Sequence, residues 1–275
     1  MRKITLLFTC LIPLLINAQN NWKDLLIKNQ VKKISIYSCE YKFGEPEKEG
    51  VLKSDTLYDQ KGNPEIINST SMLNKTFYYD ENNNVIKITS TFSSKEKILS
   101  VFKNSYDEKK RLIEYSEYHG EGTFLKKYSF KFDDQNNLIE KKITSSFGEN
   151  IFSYKYKFDN NKRPIETSIS DNGALPEVTI YKYNYQGLPI EKTINPTGMY
   201  KKTIYTYNGS GLLSDEIATQ ISNGTITNGK VIGDPVLQHK YKFNYDDKKL
   251  VIEKIIFNTY TKEPEQLMRY KYEFY

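Results

Sequence analysis

The sequence predicts an all-β fold: an antiparallel meander of about eight repeated hairpins forming an extended, curved or half-barrel sheet. Three observations carry that expectation. The 275 residues include 23 Tyr and 14 Phe, a bias toward side chains that suit a pleated surface and far from the composition of a disordered chain. One aromatic frame recurs along the chain at near-constant spacing. Within each copy, polar and apolar residues alternate with period two and are bounded by Asp, Asn and Gly.

The chain opens on Met1-Arg2-Lys3, and Ile4 to Ile16 is an apolar run interrupted only by Thr5, Thr9, Cys10 and Pro13. Ala18 then offers a small residue for cleavage, so residues 1–18 read as a secretory signal peptide. The run falls short of the ~20 apolar residues of a spanning helix. Cys10 sits inside it behind Leu7-Phe8-Thr9, where a lipid-attachment site wants a small residue. The expectation is an exported protein, periplasmic or extracellular, with no lipid anchor and no transmembrane segment after cleavage. Removing Arg2 and Lys3 lowers the formal net charge from +6 to +4. Cys39 is then the one remaining cysteine, which rules out an intrachain disulfide.

Residues 19–50 form an N-terminal segment, with Trp22, Leu25, Leu26, Ile27 and Val31 compatible with a short helix or a first strand. Residues 51–275 are the repeat domain. Tyr128-Ser-Phe130-Lys-Phe132-Asp133 with Leu138-Ile139-Glu140 returns as Tyr154-Lys-Tyr156-Lys-Phe158-Asp159 with Pro164-Ile165-Glu166. The frame continues at Tyr181, Tyr205 and Tyr241, has weaker copies on Tyr58, Tyr79 and Tyr106, and ends in a half copy at Tyr270. The anchor aromatics 58, 79, 106, 132, 158, 183, 207, 245 and 274 are spaced 21, 27, 26, 26, 25, 24, 38 and 29 residues apart.

Each copy reads as a hairpin. Asp or Asn follows the anchor, where it caps its own turn, and Gly62, Gly187 and Gly211 stand four residues after theirs. The pattern predicts that Phe132 faces Ile139, so that Lys131 faces Glu140, Lys157 faces Glu166 and Lys182 faces Glu191. Ile139 and Ile143 should then share the aromatic side. The 38-residue interval holds an insertion over 216–238, where Asn223-Gly224 and Asn228-Gly229 signal an extra hairpin or protruding loop.

Tyr58-Asp59-Gln60-Lys61-Gly62-Asn63 resembles the Tyr-Asp-x-x-Gly-Asn core of the YD repeats of bacterial RHS-type surface proteins, and Tyr207-Asn208-Gly209-Ser210-Gly211-Leu212 is similar. The resemblance covers roughly residues 50–275, with Asn83, Lys110, Asn136, Lys162 and Lys249 standing where Gly would. The chain equally resembles secreted bacterial β-meanders of unknown function. The first resemblance implies an extended sheet of hairpins, in some relatives curling into a shell; this chain is expected to be too short to close one.

Chemistry is sparse. His119 and His239 have no second His or Cys at metal-ligand spacing, and no phosphate-binding, dinucleotide-binding or nucleophile-elbow motif occurs. The recurring acids Glu114, Glu140, Glu166, Glu191, Asp215 and Glu253 come once per repeat, as a structural ladder would. The residues therefore give no catalytic or metal-binding candidate, no cofactor and no defined binding residue. Lys alternates with Glu without a basic stripe, against nucleic acid as a partner. The reading is an exported, non-catalytic scaffold or binding module of the bacterial envelope with an unknown protein or polysaccharide partner. The alternative is a carbohydrate- or peptidoglycan-binding protein using exposed tyrosines.

Overall fold

Eight repeat turns of one design, whose hydrogen-bond pattern recurs at 119–123, set the strand pattern among the described residues. The computed structural model describes residues 21–70, 74–92, 95–195, 199–222, 225–227 and 230–275; the signal-peptide expectation and the two Asn-Gly turns fall outside them. Helix α1 (Asn21–Lys28) leads into β1 (Val31–Lys42), β2 (Glu45–Pro46), β3 (Val51–Tyr58), β4 (Pro64–Ser69), β5 (Asn74–Tyr79), β6 (Val85–Phe92) and β7 (Lys95–Tyr106). There follow β8 (Leu112–His119), β9 (Phe124–Phe132), β10 (Leu138–Ser145), β11 (Gly148–Phe158), β12 (Pro164–Asp171), β13 (Glu177–Tyr183) and β14 (Pro189–Asn195). The last strands are β15 (Met199–Tyr207), β16 (Leu213–Ser222), β17 (Thr225–Thr227), β18 (Lys230–Ile232), β19 (Val236–Tyr245), β20 (Val251–Phe257) and β21 (Pro264–Phe274).

Consecutive strands pair antiparallel from β3 to β16, then β16 with β19, β19 with β20 and β20 with β21. The small β17–β18 hairpin stands apart within the insertion. β1 pairs with β3 on one side, as in Lys33↔Leu57, and with β21 on the other, as in Ile34↔Tyr272. That double pairing closes eighteen strands into a barrel. The all-β expectation holds, but the open, curved or half-barrel sheet is overturned. Hairpin periodicity records only neighbours in sequence, whereas closure joins residues as far apart as Lys33 and Glu273, 240 positions away.

Each repeat turn follows one plan. In 133–137, the Asn136 N–H donates to the Asp133 carbonyl (3.1 Å) and the Asp133 N–H to the Asn137 carbonyl (2.9 Å). Asn136 has φ +69°, so this is a three-residue loop ending in a left-handed residue. Residues 62, 83, 110, 162, 187, 211 and 249 are left-handed likewise. The capping role expected of Asp is visible: Asp159 Oδ1 accepts from the N–H groups of Asn161 and Arg163, both at 2.9 Å. A left-handed conformation costs a Lys ~1–2 kcal/mol that Gly escapes, less the extra freedom Gly has when unfolded. Lys110→Gly and Lys162→Gly should therefore each stabilise by roughly 0.5–1 kcal/mol. Urea melts check this; a fall in midpoint for both would contradict the turn geometry.

Directly after each turn the second arm carries a bulge. Phe132 pairs with Leu138 and Lys131 with Glu140, leaving Ile139 as the extra residue. The expected charge pairs are present, with Lys131–Glu140, Lys157–Glu166 and Lys182–Glu191 each at 2.8 Å. The anchor, however, meets the residue six positions on and not the seventh. Leu138 takes the packed position at 5% exposure while Ile139 is 40% exposed. A bulge places two residues opposite one, which period-two reading cannot register.

The sheet thus has an aromatic face and a charged face. On the aromatic face four anchor tyrosines, and Tyr272 beside the last anchor, latch a hairpin to the one before it. Tyr79 donates to the Pro64 carbonyl, Tyr183 to Pro164, Tyr207 to Pro189, Tyr245 to Leu213 and Tyr272 to Val251, at 2.6–2.8 Å. One packed cluster joins Phe130, Leu138 and Tyr154 across β9, β10 and β11. The other lies where the barrel closes: Leu26 of α1 meets Val31, Ile34 and Leu250, with Trp22, Tyr58, Tyr270 and Tyr272 around them.

Candidate functional site

Alternation along β16 puts Glu216 on the aromatic face, opposite Tyr205 of β15 and Tyr241 of β19. Ala218, two residues on, lies opposite His239. The small Ala leaves the imidazole room to reach back along the sheet. His239 Nε2 lies 2.8 Å from Glu216 Oε1, with both side chains about one-quarter to one-third exposed. The imidazole stacks on Tyr241, ring centres 4.5 Å apart and planes 13° from parallel. Lys254 of β20 sets its ammonium 3.5 Å from the centre of the same ring, a cation–π contact. Lys192 of β14 lies on the same face, opposite Tyr181 and Thr203.

The electrostatics tie the group together. Burial pulls the Lys192 ammonium below the usual lysine range, opposed by Glu177 and Glu216. Burial does the same to Lys254, opposed by Glu216. The Tyr205 hydroxyl is pushed up to about 12, first by burial and then by the Glu216 carboxylate. Two partly desolvated ammonium groups beside a carboxylate–imidazole pair can together take a ligand that presents both negative charge and hydrogen-bond donors.

The residues singled out in the sequence fall elsewhere, with one exception. The exception is His239: the search for a partner His or Cys left it isolated, but it has Glu216, 23 residues earlier, on the adjacent strand. His119 ends β8 opposite Ser100. Cys39 is fully buried in β1 opposite Leu267. The repeated acids pair with bases along the charged face: Glu114 with Lys127 at 3.1 Å, Glu253 with Arg269 at 3.6 Å, and Asp215 opposite Lys242.

Glu216, Lys192 and Lys254 went unnoticed, although a signal existed. Each stands nine residues after its anchor, Tyr207, Tyr183 or Tyr245; Lys141 stands so after Phe132, away from the cluster, and the remaining copies carry Ile67, Ile88, Tyr115 and Thr167. A charge at that position falls on the aromatic face.

No protein-family model matches the chain, and no curated protein matches it. Among solved structures, it is similar to a porin-like protein from Bacteroides uniformis, with 10% identity over 89% of this chain and 97% of that one, TM-score 0.42. A porin-like protein from Bacteroides vulgatus gives 12% identity, 88% and 98% coverage, and TM-score 0.26. The TcdB2-TccC3-Cdc42 structure gives 12% identity over 75% of this chain, TM-score 0.35, and the match spans only 12% of that chain's length. Likenesses at these scores carry no functional argument, and the barrel stands on its own strand pairings.

Proposed function

We propose that this chain is an exported, non-catalytic binding barrel of the bacterial envelope, built from YD-type hairpins, that holds a small anionic ligand at Lys192, Glu216, His239 and Lys254. The observation that carries the reading is the gathering of these four groups on a face whose anchor tyrosines are mostly spent on neighbouring carbonyls. The aromatic face lines the lumen in this reading. A closed sheet crowds side chains on its concave side and spreads them on its convex side. Tyr154 is 9% exposed and Phe130 6%, against 64–69% for the side chains of Lys131, Lys157 and Lys182 on the charged face. A lipid-facing surface needs an apolar band ~25 Å tall; the Lys–Glu pairs interrupt one face, and Lys141, Lys192, Glu216 and Lys254 the other. Both faces suit water.

Thermal shift measurements with a panel of sugar acids, amino acids and dicarboxylates test the site. At least one probe should raise Tm, and the paired substitution Glu216→Gln with Lys254→Gln should abolish that shift while the ligand-free protein still melts cooperatively. No shift across the panel, or a shift that survives both substitutions, defeats the reading. Recovery of the tagged full chain from the cytoplasm alone would defeat its exported part.

A further inference from the structure

The repeat turns share a backbone but not a chemistry. Counting from 59–63, six of the eight place Asp at the capping position and carry at least one formal charge. The sixth, Asn184-Tyr185-Gln186-Gly187-Leu188, and the seventh, Asn208-Gly209-Ser210-Gly211-Leu212, carry none. They are neighbours on one rim, because β14 pairs with β15. In both, Asn caps the turn as Asp does elsewhere. Asn184 Oδ1 accepts from the N–H groups of Gln186 and Leu188 at 3.0 and 2.9 Å, and Asn208 Oδ1 from Ser210 and Leu212, both at 3.0 Å. The fold therefore gains nothing from the change of Asp to Asn. What changes is the second polar atom of the side chain. Elsewhere it is a carboxylate oxygen that takes Arg163 or Asn137; here it is an amide N–H₂ that donates no hydrogen bond to a described residue.

Between the two turns lies a cavity of about 300 Å³, lined by Asn184, Tyr185, Gln186, Tyr207, Asn208 and Gly209 among others. Tyr185 is 94% exposed, a ring whose area the barrel leaves unused. A Cβ added at Gly209 would meet nothing within 4 Å, so the notch is open on that side. Arg163, whose guanidinium lies beside Gly187 of the sixth turn, is held by Asp159 at 2.6 Å.

We propose that this notch binds neutral carbohydrate at the rim of the barrel, separately from the charged cluster on the aromatic face. An exposed tyrosine offers a platform for the apolar C–H face of a pyranose. Unpaired amides beside it hydrogen-bond hydroxyl groups, and the lack of formal charge matches an uncharged glycan.

Calorimetric titration of the full chain with maltohexaose, cellohexaose and chitohexaose tests the site. At least one should bind. Tyr185→Ala, which removes the platform, and Gly209→Trp, which fills the notch, should each weaken that binding at least about tenfold. Asn208→Asp keeps the turn cap but restores a charge, and should weaken binding without shifting the melting temperature. Tyr260→Ala removes a tyrosine that is 92% exposed at the opposite end of the barrel and should leave binding unchanged. Glu216→Gln should also leave it unchanged, which separates this site from the aromatic-face ligand. The proposal is overturned if none of the three sugars binds, if binding survives Tyr185→Ala and Gly209→Trp, or if Tyr260→Ala weakens it equally.

Discussion

The barrel should unfold cooperatively between pH 10 and pH 12. Tyr181, Tyr183, Tyr205, Tyr207 and Tyr245 all have hydroxyls pushed up to about 12, with burial the largest cause in each. In the unfolded chain these groups titrate near 10. Below that value both states keep their protons and the five contribute no pH dependence. Between about 10 and 12 the unfolded state releases protons that the folded state retains, so stability falls as pH rises. The limiting slope is ~1.4 kcal/mol per pH unit for each group. Halving it for solvent screening of half-buried rings leaves a total on the order of 3 kcal/mol per pH unit. Lys192 and Lys254, held low by burial, act in the opposite direction, but two lysines do not offset five tyrosines. Circular dichroism followed through an alkaline titration reads the transition. The double variant Tyr183→Phe with Tyr207→Phe should be weaker at pH 7, by ~1 kcal/mol per lost hydroxyl bond, yet show a flatter alkaline limb. An unchanged limb would show that these hydroxyls are not held in the fold as described.

Leu250→Ala should be among the most damaging single substitutions, at ~3–5 kcal/mol. Leu250 is fully buried and packs with Leu26, Val31 and Ile34, so truncation opens a cavity under α1 where β1 closes the barrel. Leu212 holds the equivalent position in the seventh turn but is only partly buried. Its replacement by Ala should cost less than half as much. Denaturant melts of the two variants decide the matter: equal losses would mean that helix packing adds nothing to closure.

The contrast between these two leucines shows which parts of the molecule were legible in the sequence. Anchors, turns and the Lys131–Glu140 type of pair are local facts, fixed by residues within about ten positions of one another, and the pattern displayed them. Leu250 and Leu212 look equivalent in that pattern because α1, which distinguishes them, arrives from more than 200 residues away. Closure escaped notice for the same reason. The Ile139 bulge was missed for a smaller one: alternation counts residues and assumes that none is extra. Phe158 illustrates the result, since the repeat ranks it as a core anchor while the structure leaves it 36% exposed. The Glu216–His239 pair belongs to the sheet and not to the string, because its members meet only once β16 and β19 bridge the insertion.

The double partnership of β1 has a kinetic consequence. Hairpins such as β9–β10 close over loops of a few residues and can zip within microseconds. The β1–β21 ladder must instead bring together segments such as Lys33 and Glu273, 240 positions apart. Chain-closure entropy grows as the logarithm of loop length, so this last ladder starts ~3 kcal/mol behind a local hairpin of about ten residues. Refolding should therefore show two phases: a fast rise in strand signal, then a slow step that alone orders α1 over Leu250. During that interval the molecule is a strip with two unpaired edges, able to pair with another copy. Concentration in the refolding vessel, more than temperature, should decide whether the strip becomes a ring or a chain of strips.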